Sequence, residues 1–112
     1  MHLKPRDLAK LGQLLLDGGQ WQGQTVVSSA WLDAMTTSQI LSDFLDEDSQ
    51  PIPYGYYWYI VPGGFAAWGN GGQYLLVDPA RQLVIVQIAL PDTAGLDGST
   101  LPEFMALVSE LL

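Results

Sequence analysis

Residues 68–74 read Trp-Gly-Asn-Gly-Gly-Gln-Tyr and run directly into the strand-like Leu75-Leu76-Val77. Glycine has no side chain to fend off a ligand, so backbone N–H groups beside it are open to close approach. Donors fixed in that way stabilise the negative charge that develops on a carbonyl oxygen during acyl transfer. Glycines at a strand start also make bulges and left-handed turns that serve packing alone. The residue types by themselves leave both uses open.

The groups that such a wall would serve are missing from the rest of the chain. A nucleophile requires a base within hydrogen-bond reach. The single histidine, His2, stands at the N-terminus, a poor place from which to hold a Ser-His-Asp triad. A serine activated by a helical lysine would lie three residues before it, yet Met1 and Asp7 occupy those positions before Lys4 and Lys10. No serine has Gly-x-Ser-x-Gly flanks. No catalytic residue is therefore assigned. Asp43, Asp46, Glu47 and Asp48 gather carboxylates without the Asp-x-Asp-x-Asp-Gly order of a calcium loop. They read as a solvated acidic loop, and neither a metal nor another cofactor is expected.

Composition narrows the partners. The 112 residues carry a net charge of −8, with Lys4, Arg6, Lys10 and Arg81 as the four cations. Neutralising phosphates needs clustered Lys and Arg, so no nucleic-acid partner is expected. Cysteine is absent, which removes disulfides, thiolate nucleophiles and Cys-based metal sites. The apolar runs fall well short of the roughly 20 residues that span a bilayer, so no membrane partner is expected. Met1-His2-Leu3-Lys4 lacks the apolar stretch of a signal peptide, and the chain as given is expected to stay in the cytoplasm. Hydrophobic content of 48% argues for a packed core, while only 14% charged residues hints at surface that something else covers.

The elements that must position the glycines follow from periodicity. Residues 5–16 have Leu8, Leu11, Leu14 and Leu15 on one helical face, with Pro5 suited to the first turn and Asp7 complementing the helix dipole. Asp17-Gly18-Gly19 is a helix stop, and residues 21–27 read as a short extended piece turning at Gly23. Ser28 or Ser29 caps a second helix whose apolar face is Trp31, Leu32 and Met35. Residues 37–53 show no period and contain Pro51 and Pro53, so a surface loop is expected. Residues 54–61 are aromatic and β-branched, a first strand. Residues 65–70 make a second, residues 73–79 a third, and Asp78-Pro79-Ala80-Arg81 a turn with Pro at a favoured position. Residues 83–90 form a continuous apolar run, expected to be a strand buried on both faces. A Gly/Asp/Pro loop then leads to a closing helix with Leu101, Phe104, Leu107, Val108 and Leu111 as its buried stripe. The expected architecture is a single α+β domain over 1–112: two N-terminal helices, an antiparallel sheet of about four strands, and a C-terminal helix.

In order and spacing, PRDLAKLGQLLLDGGQWQGQTVVSSAWLDAM, YGYYWYI and GNGGQYLLVDPARQLVIVQ closely resemble the C-terminal third of serine hydrolases of the β-lactamase/penicillin-binding superfamily. The nearest branch is the class C-like group of esterases and 6-aminohexanoate-oligomer hydrolases. The resemblance spans nearly the whole chain and rests on the ordered set rather than on any one motif. It implies a partial β-lactamase-like fold, with the Ser-x-x-Lys nucleophile and the Tyr-x-Asn-like element both upstream of the part resembled. The family's third element is a Lys/His-Thr/Ser-Gly or Trp-Gly-Gly-like triplet on a strand bordering the active site. Asn70-Gly71-Gly72 matches it best, with Trp68-Gly69-Asn70 as the alternative alignment. By that resemblance Asn70, Gly71, Gly72 and Gln73 are the substrate-binding residues, with the Gln73 backbone N–H as an oxyanion donor. Asn70 departs from the usual cation or aromatic, which leaves the acyl substrate open. Tyr54, Tyr56 and Trp58 alternate along a strand and are expected in the core rather than facing substrate.

The resemblance also implies that N-terminal strands pair beside residues 83–90. Without them that strand is an open apolar edge of the kind that recruits another chain. Self-association through it, or pairing with a missing N-terminal half, is the expected partnership. Three readings follow: the C-terminal part of a serine hydrolase, inactive alone; one half of a split hydrolase; or a standalone ligand-binding or assembly module.

Overall fold

In the first helix, α1 (Pro5–Leu16), proline occupies the first turn and Leu15 turns inward. Gly12, on the same face, is buried because the helix lies close against the sheet. A β-carbon at that position would fall 2.5 Å from Val84 Cγ1 and 3.0 Å from Leu75 Cδ1. The computed structural model describes residues 3–46, 48–89 and 101–111. His2 and the loop expected over 91–100 lie outside the described residues.

After α1 the chain makes a small antiparallel hairpin, β1 (Gln20–Trp21) and β2 (Gln24–Thr25), around the expected Gly23 turn. Helix α2 (Ser29–Met35) follows, capped by Ser28, whose hydroxyl accepts from the Trp31 N–H at 3.2 Å. Six strands then form an antiparallel meander: β3 (Ile40–Leu45), β4 (Pro51–Tyr54), β5 (Tyr59–Val61), β6 (Gly64–Gly69), β7 (Gln73–Asp78) and β8 (Leu83–Gln87), each paired with the next. Helix α3 (Leu101–Leu111) comes last among the described residues.

Two apolar clusters on opposite faces hold the sheet. On one, Leu15 and Met35 from the first two helices pack with Trp58, Phe65, Leu75 and Val77. On the other, Phe104 and Val108 of α3 pack with Ile52, Val61, Ala66, Tyr74 and Leu76. The strict alternation of β7, Tyr74 and Leu76 against Leu75 and Val77, supplies both layers, since successive strand side chains point to opposite faces. Tyr74 stacks on Phe104 with ring centroids 4.5 Å apart, fixing α3 over the centre of the sheet.

The α+β class holds, but the strands number eight among the described residues rather than about four, in two sheets. Residues 37–53 are not a loop; they contain β3 and most of β4. Pro51 and Pro53 lie opposite Leu45 and Leu41 of β3, across a register shift, while β4 pairs with β5 only at Tyr54, so little ladder is there to be lost on the β5 side. Residues 54–61 are two strands, separated by a bend in which Tyr57 has φ 66°. The last strand ends at Gln87, and all five of its residues are half-buried rather than covered on both faces. The helical stripes are also narrower than expected, for Trp31, Leu107 and Leu111 are exposed while Met35, Phe104 and Val108 are buried.

Candidate functional site

The β6–β7 hairpin closes with Gly69 opposite Gln73, leaving Asn70-Gly71-Gly72 as its three-residue tip. Gly71 and Gly72 have φ 84° and 79°, left-handed conformations that glycine adopts without a β-carbon clash. Both glycines are buried, whereas Asn70 is exposed. The tip is thus a folded-in turn that presents one amide side chain to its surroundings.

Two glutamines lock it. The Gln73 side-chain amide donates to the Gly71 carbonyl at 3.2 Å and also to the Ala89 carbonyl, and the Gln87 amide donates to the Gly72 carbonyl at 3.3 Å. The described peptides are trans, so each N–H points opposite to the carbonyl of the same peptide plane. Holding the Gly71 and Gly72 carbonyls therefore fixes the Gly72 and Gln73 N–H groups in the reverse direction. The sequence singled out Gln73 for its backbone; the work of both glutamine side chains went unread. The signal was present as two amides at the ends of strands whose interiors are apolar.

Because the strands form a meander, the bend after β4 lies at the same end of the sheet as the β6–β7 tip. That end is aromatic. Trp68 stacks on Tyr59 at 3.3 Å between centroids and 11° between planes, and both rings meet Phe44 edge-on. The Trp68 indole nitrogen is buried with no hydrogen-bond partner among the described residues. Burial, and then the neighbouring Tyr54, raises the Tyr59 hydroxyl above the usual tyrosine range. Trp58 is in the core as expected, packed edge-on against Phe65, and Tyr54 is half-buried. Tyr56 is not core: it is 46% exposed and stacks on the exposed Trp31.

The other polar groups that sequence brought forward have structural occupations. Lys10 Nζ bonds Asp7 at 2.9 Å, and the Ser28 hydroxyl caps α2. Among the described residues no group of three or more His, Asp or Glu side chains is placed to hold a metal ion.

No family model matches the chain. A 6-aminohexanoate-dimer hydrolase of Paenarthrobacter ureafaciens is 34% identical over an alignment of 98 residues that covers 79% of this chain. A solved structure from Bacillus anthracis, provisionally named a 6-aminohexanoate-dimer hydrolase, superposes with a TM-score of 0.64 over 96% of the chain at 24% identity. The chain is similar to part of these hydrolases, a likeness that fits the C-terminal segment of a β-lactamase-superfamily protein. It spans 25% of the length of the curated relative and 29% of the solved one. The solved relative, at its low identity, carries the fold; the curated one carries the kinship.

Proposed function

We propose that this segment supplies the active-site strand and oxyanion wall of a β-lactamase-related serine hydrolase acting on an ester, amide or lactam. The observation that supports this reading is the locked Gly71-Gly72 turn, in which two carbonyls are held by Gln73 and Gln87 and the N–H groups of the same two peptides are thereby fixed. Fixed donors are what stabilise a developing oxyanion, because they need not reorganise as charge appears. Asn70, exposed at the tip, is the side chain that meets substrate, whereas Trp68 is committed to packing against Tyr59 and Phe44. The 6-aminohexanoate dimer, named for the curated relative, is the first amide to try.

In this reading the nucleophile and its base come from chain beyond this segment, and the segment alone is inactive. Strand β8 is the edge at which further strands would add, since nothing pairs with its outer side among the described residues. Its Val84-Ile85-Val86 core is half-buried and carries no charge, a flat apolar edge that invites pairing with another chain or with a second copy.

Two assays test the proposal. The purified segment should give no turnover of p-nitrophenyl acetate or a chromogenic β-lactam above a blank. Saturable turnover that survives repurification would overturn the claim that the nucleophile lies elsewhere. Joined in place of the matching quarter of the Paenarthrobacter hydrolase, the segment should support hydrolysis of the 6-aminohexanoate dimer. A folded chimera with no activity would overturn the assignment of the wall.

A further inference from the structure

The charges of this chain are divided unevenly. Residues 1–26 hold three cations and two carboxylates, whereas the remainder holds one cation and ten carboxylates. That one later cation, Arg81, is engaged by Asp78 at 2.7 Å. The other three cations, Lys4, Arg6 and Lys10, stand in or just before α1, and of these Lys10 also bonds Asp7 at 2.9 Å.

Lys10 also borders an open groove of about 370 Å³ between α1 and the β1–β2 hairpin, walled by Leu11, Leu14, Trp21 and Val26. Leu11, Trp21 and Val26 are all exposed there. Such a groove, apolar in its walls and with the Lys10 ammonium at its rim, fits an occupant with apolar side chains and a carboxylate between them. Strand β3 has that composition. Leu41, Asp43 and Leu45 are exposed in alternation, while Ser42 and Phe44 turn inward. The chain continues into Asp46 and Asp48, both exposed. β3 is also an edge, with β4 as its one neighbour among the described residues.

We propose that the α1 groove binds the β3 edge of a second copy of this chain, with Leu41 and Leu45 against Leu11, Leu14, Trp21 and Val26, and Asp43 facing Lys10. An ammonium has three donors, so Lys10 can serve Asp43 of the second copy while keeping Asp7. Because one copy gives the groove and the other the strand, the contact is head-to-tail, and it propagates unless the rotation between copies closes a ring. Its charges are solvent-exposed, so association weakens as salt shortens the screening length. The proposal is independent of the hydrolase reading and uses neither β8 nor the β6–β7 tip.

The test is sedimentation of the full chain over a range of concentration, at low and high salt, with two charge reversals. Lys10 and Asp43 are both exposed, so neither K10E nor D43K disturbs the core. Each should weaken association about three- to tenfold, the scale of exchanging an exposed ion pair for a repulsion. An equimolar mixture of the two should associate again. The groove of the K10E chain then meets the strand of the D43K chain as a reversed ion pair, and the native Lys10 and Asp43 pair re-forms at the alternate contacts. A wild-type chain that stays monomeric at millimolar concentration overturns the proposal. So does association that both reversals leave unchanged, which would place the contact at β8, and so does a mixture no stronger than its components.

Discussion

Gln87, at the end of β8, holds the carbonyl of Gly72 across the strand pair at 3.3 Å. The contact reaches from the last strand of the sheet to the tip of the hairpin before it, so the order of the candidate wall depends on a residue outside the glycine motif. Q87A removes the donor and leaves the Gly72 carbonyl unsatisfied, at a cost of about 1 kcal/mol. Q87E sets a carboxylate against the carbonyl oxygen and should be worse than Q87A at neutral pH. Urea unfolding gives the stability difference, and hydrogen exchange at residues 71–73 should rise in both variants more than exchange in α1. Equal change everywhere would mean that Gln87 supports the sheet at large and not the tip.

Gly71 and Gly72 both sit at positive φ. An alanine there must accept a left-handed backbone, which costs about 1–2 kcal/mol per residue. G71A and G72A should each lower the unfolding free energy by that amount. In the chimera with the Paenarthrobacter segment, the same changes should reduce hydrolysis by more than stability loss accounts for. If kcat holds steady while stability falls, the turn is a packing device and the donors lie elsewhere.

What was legible in the sequence, and what was not, divides along physical lines. Helix α1 was readable from the helical spacing of its leucines, and strand β7 from a short apolar run, Tyr74–Val77, bounded by Gly71-Gly72 and the Asp78-Pro79 turn. β3 and β4 were not, because Pro51 and Pro53 argue against a strand unless one knows that β4 is nearly unpaired on its β5 side. The aromatic run at 54–61 hid a bend, since nothing in Tyr56-Tyr57 announces a left-handed Tyr57. The candidate site was located by resemblance at Asn70–Gln73, and its positions fall together on one turn. The side-chain clamps that hold the turn depend on which strands become neighbours, and local sequence does not carry that information.

Asp78 offers a pH readout of the β7–β8 turn. The residue is 2% exposed, and its carboxylate accepts from the Arg81 guanidinium at 2.7 Å and the Arg81 N–H at 2.9 Å. Burial pushes its pKa up, but the hydrogen bonds and charge of Arg81 outweigh burial and hold it below the usual carboxylate range. A carboxylate depressed on folding contributes stability above its unfolded pKa, roughly 3.9, and loses that contribution as pH falls through the lower folded value. D78N should therefore be less stable than wild type at pH 7, by about 1–3 kcal/mol, with the gap narrowing below about pH 4. Urea midpoints measured from pH 7 down to pH 2 for both proteins check this. A gap that is constant with pH would mean the amide merely packs badly.

Gly12 sets the distance between α1 and the sheet. Its missing β-carbon is occupied by Val84 Cγ1, with Leu75 close behind. Helix propensity favours alanine over glycine by roughly 1 kcal/mol, so an exposed site would gain from the change. Here the gain is opposed by overpacking, which costs about 1–3 kcal/mol when a tight interface must shift. G12A should then be neutral to destabilising, and G12V clearly destabilising because a branched side chain has nowhere to go. The double variant G12A/V84A restores the lost space at Val84 and should recover part of the loss relative to V84A alone. Because Val84 stands on β8, the same series tests whether the α1 contact holds that edge strand: hydrogen exchange at 83–87 should rise in G12V and fall back in the compensated pair. If G12V leaves exchange in β8 unchanged while the protein loses stability, the helix yields and the strand does not, and β8 is held by its pairing with β7 alone.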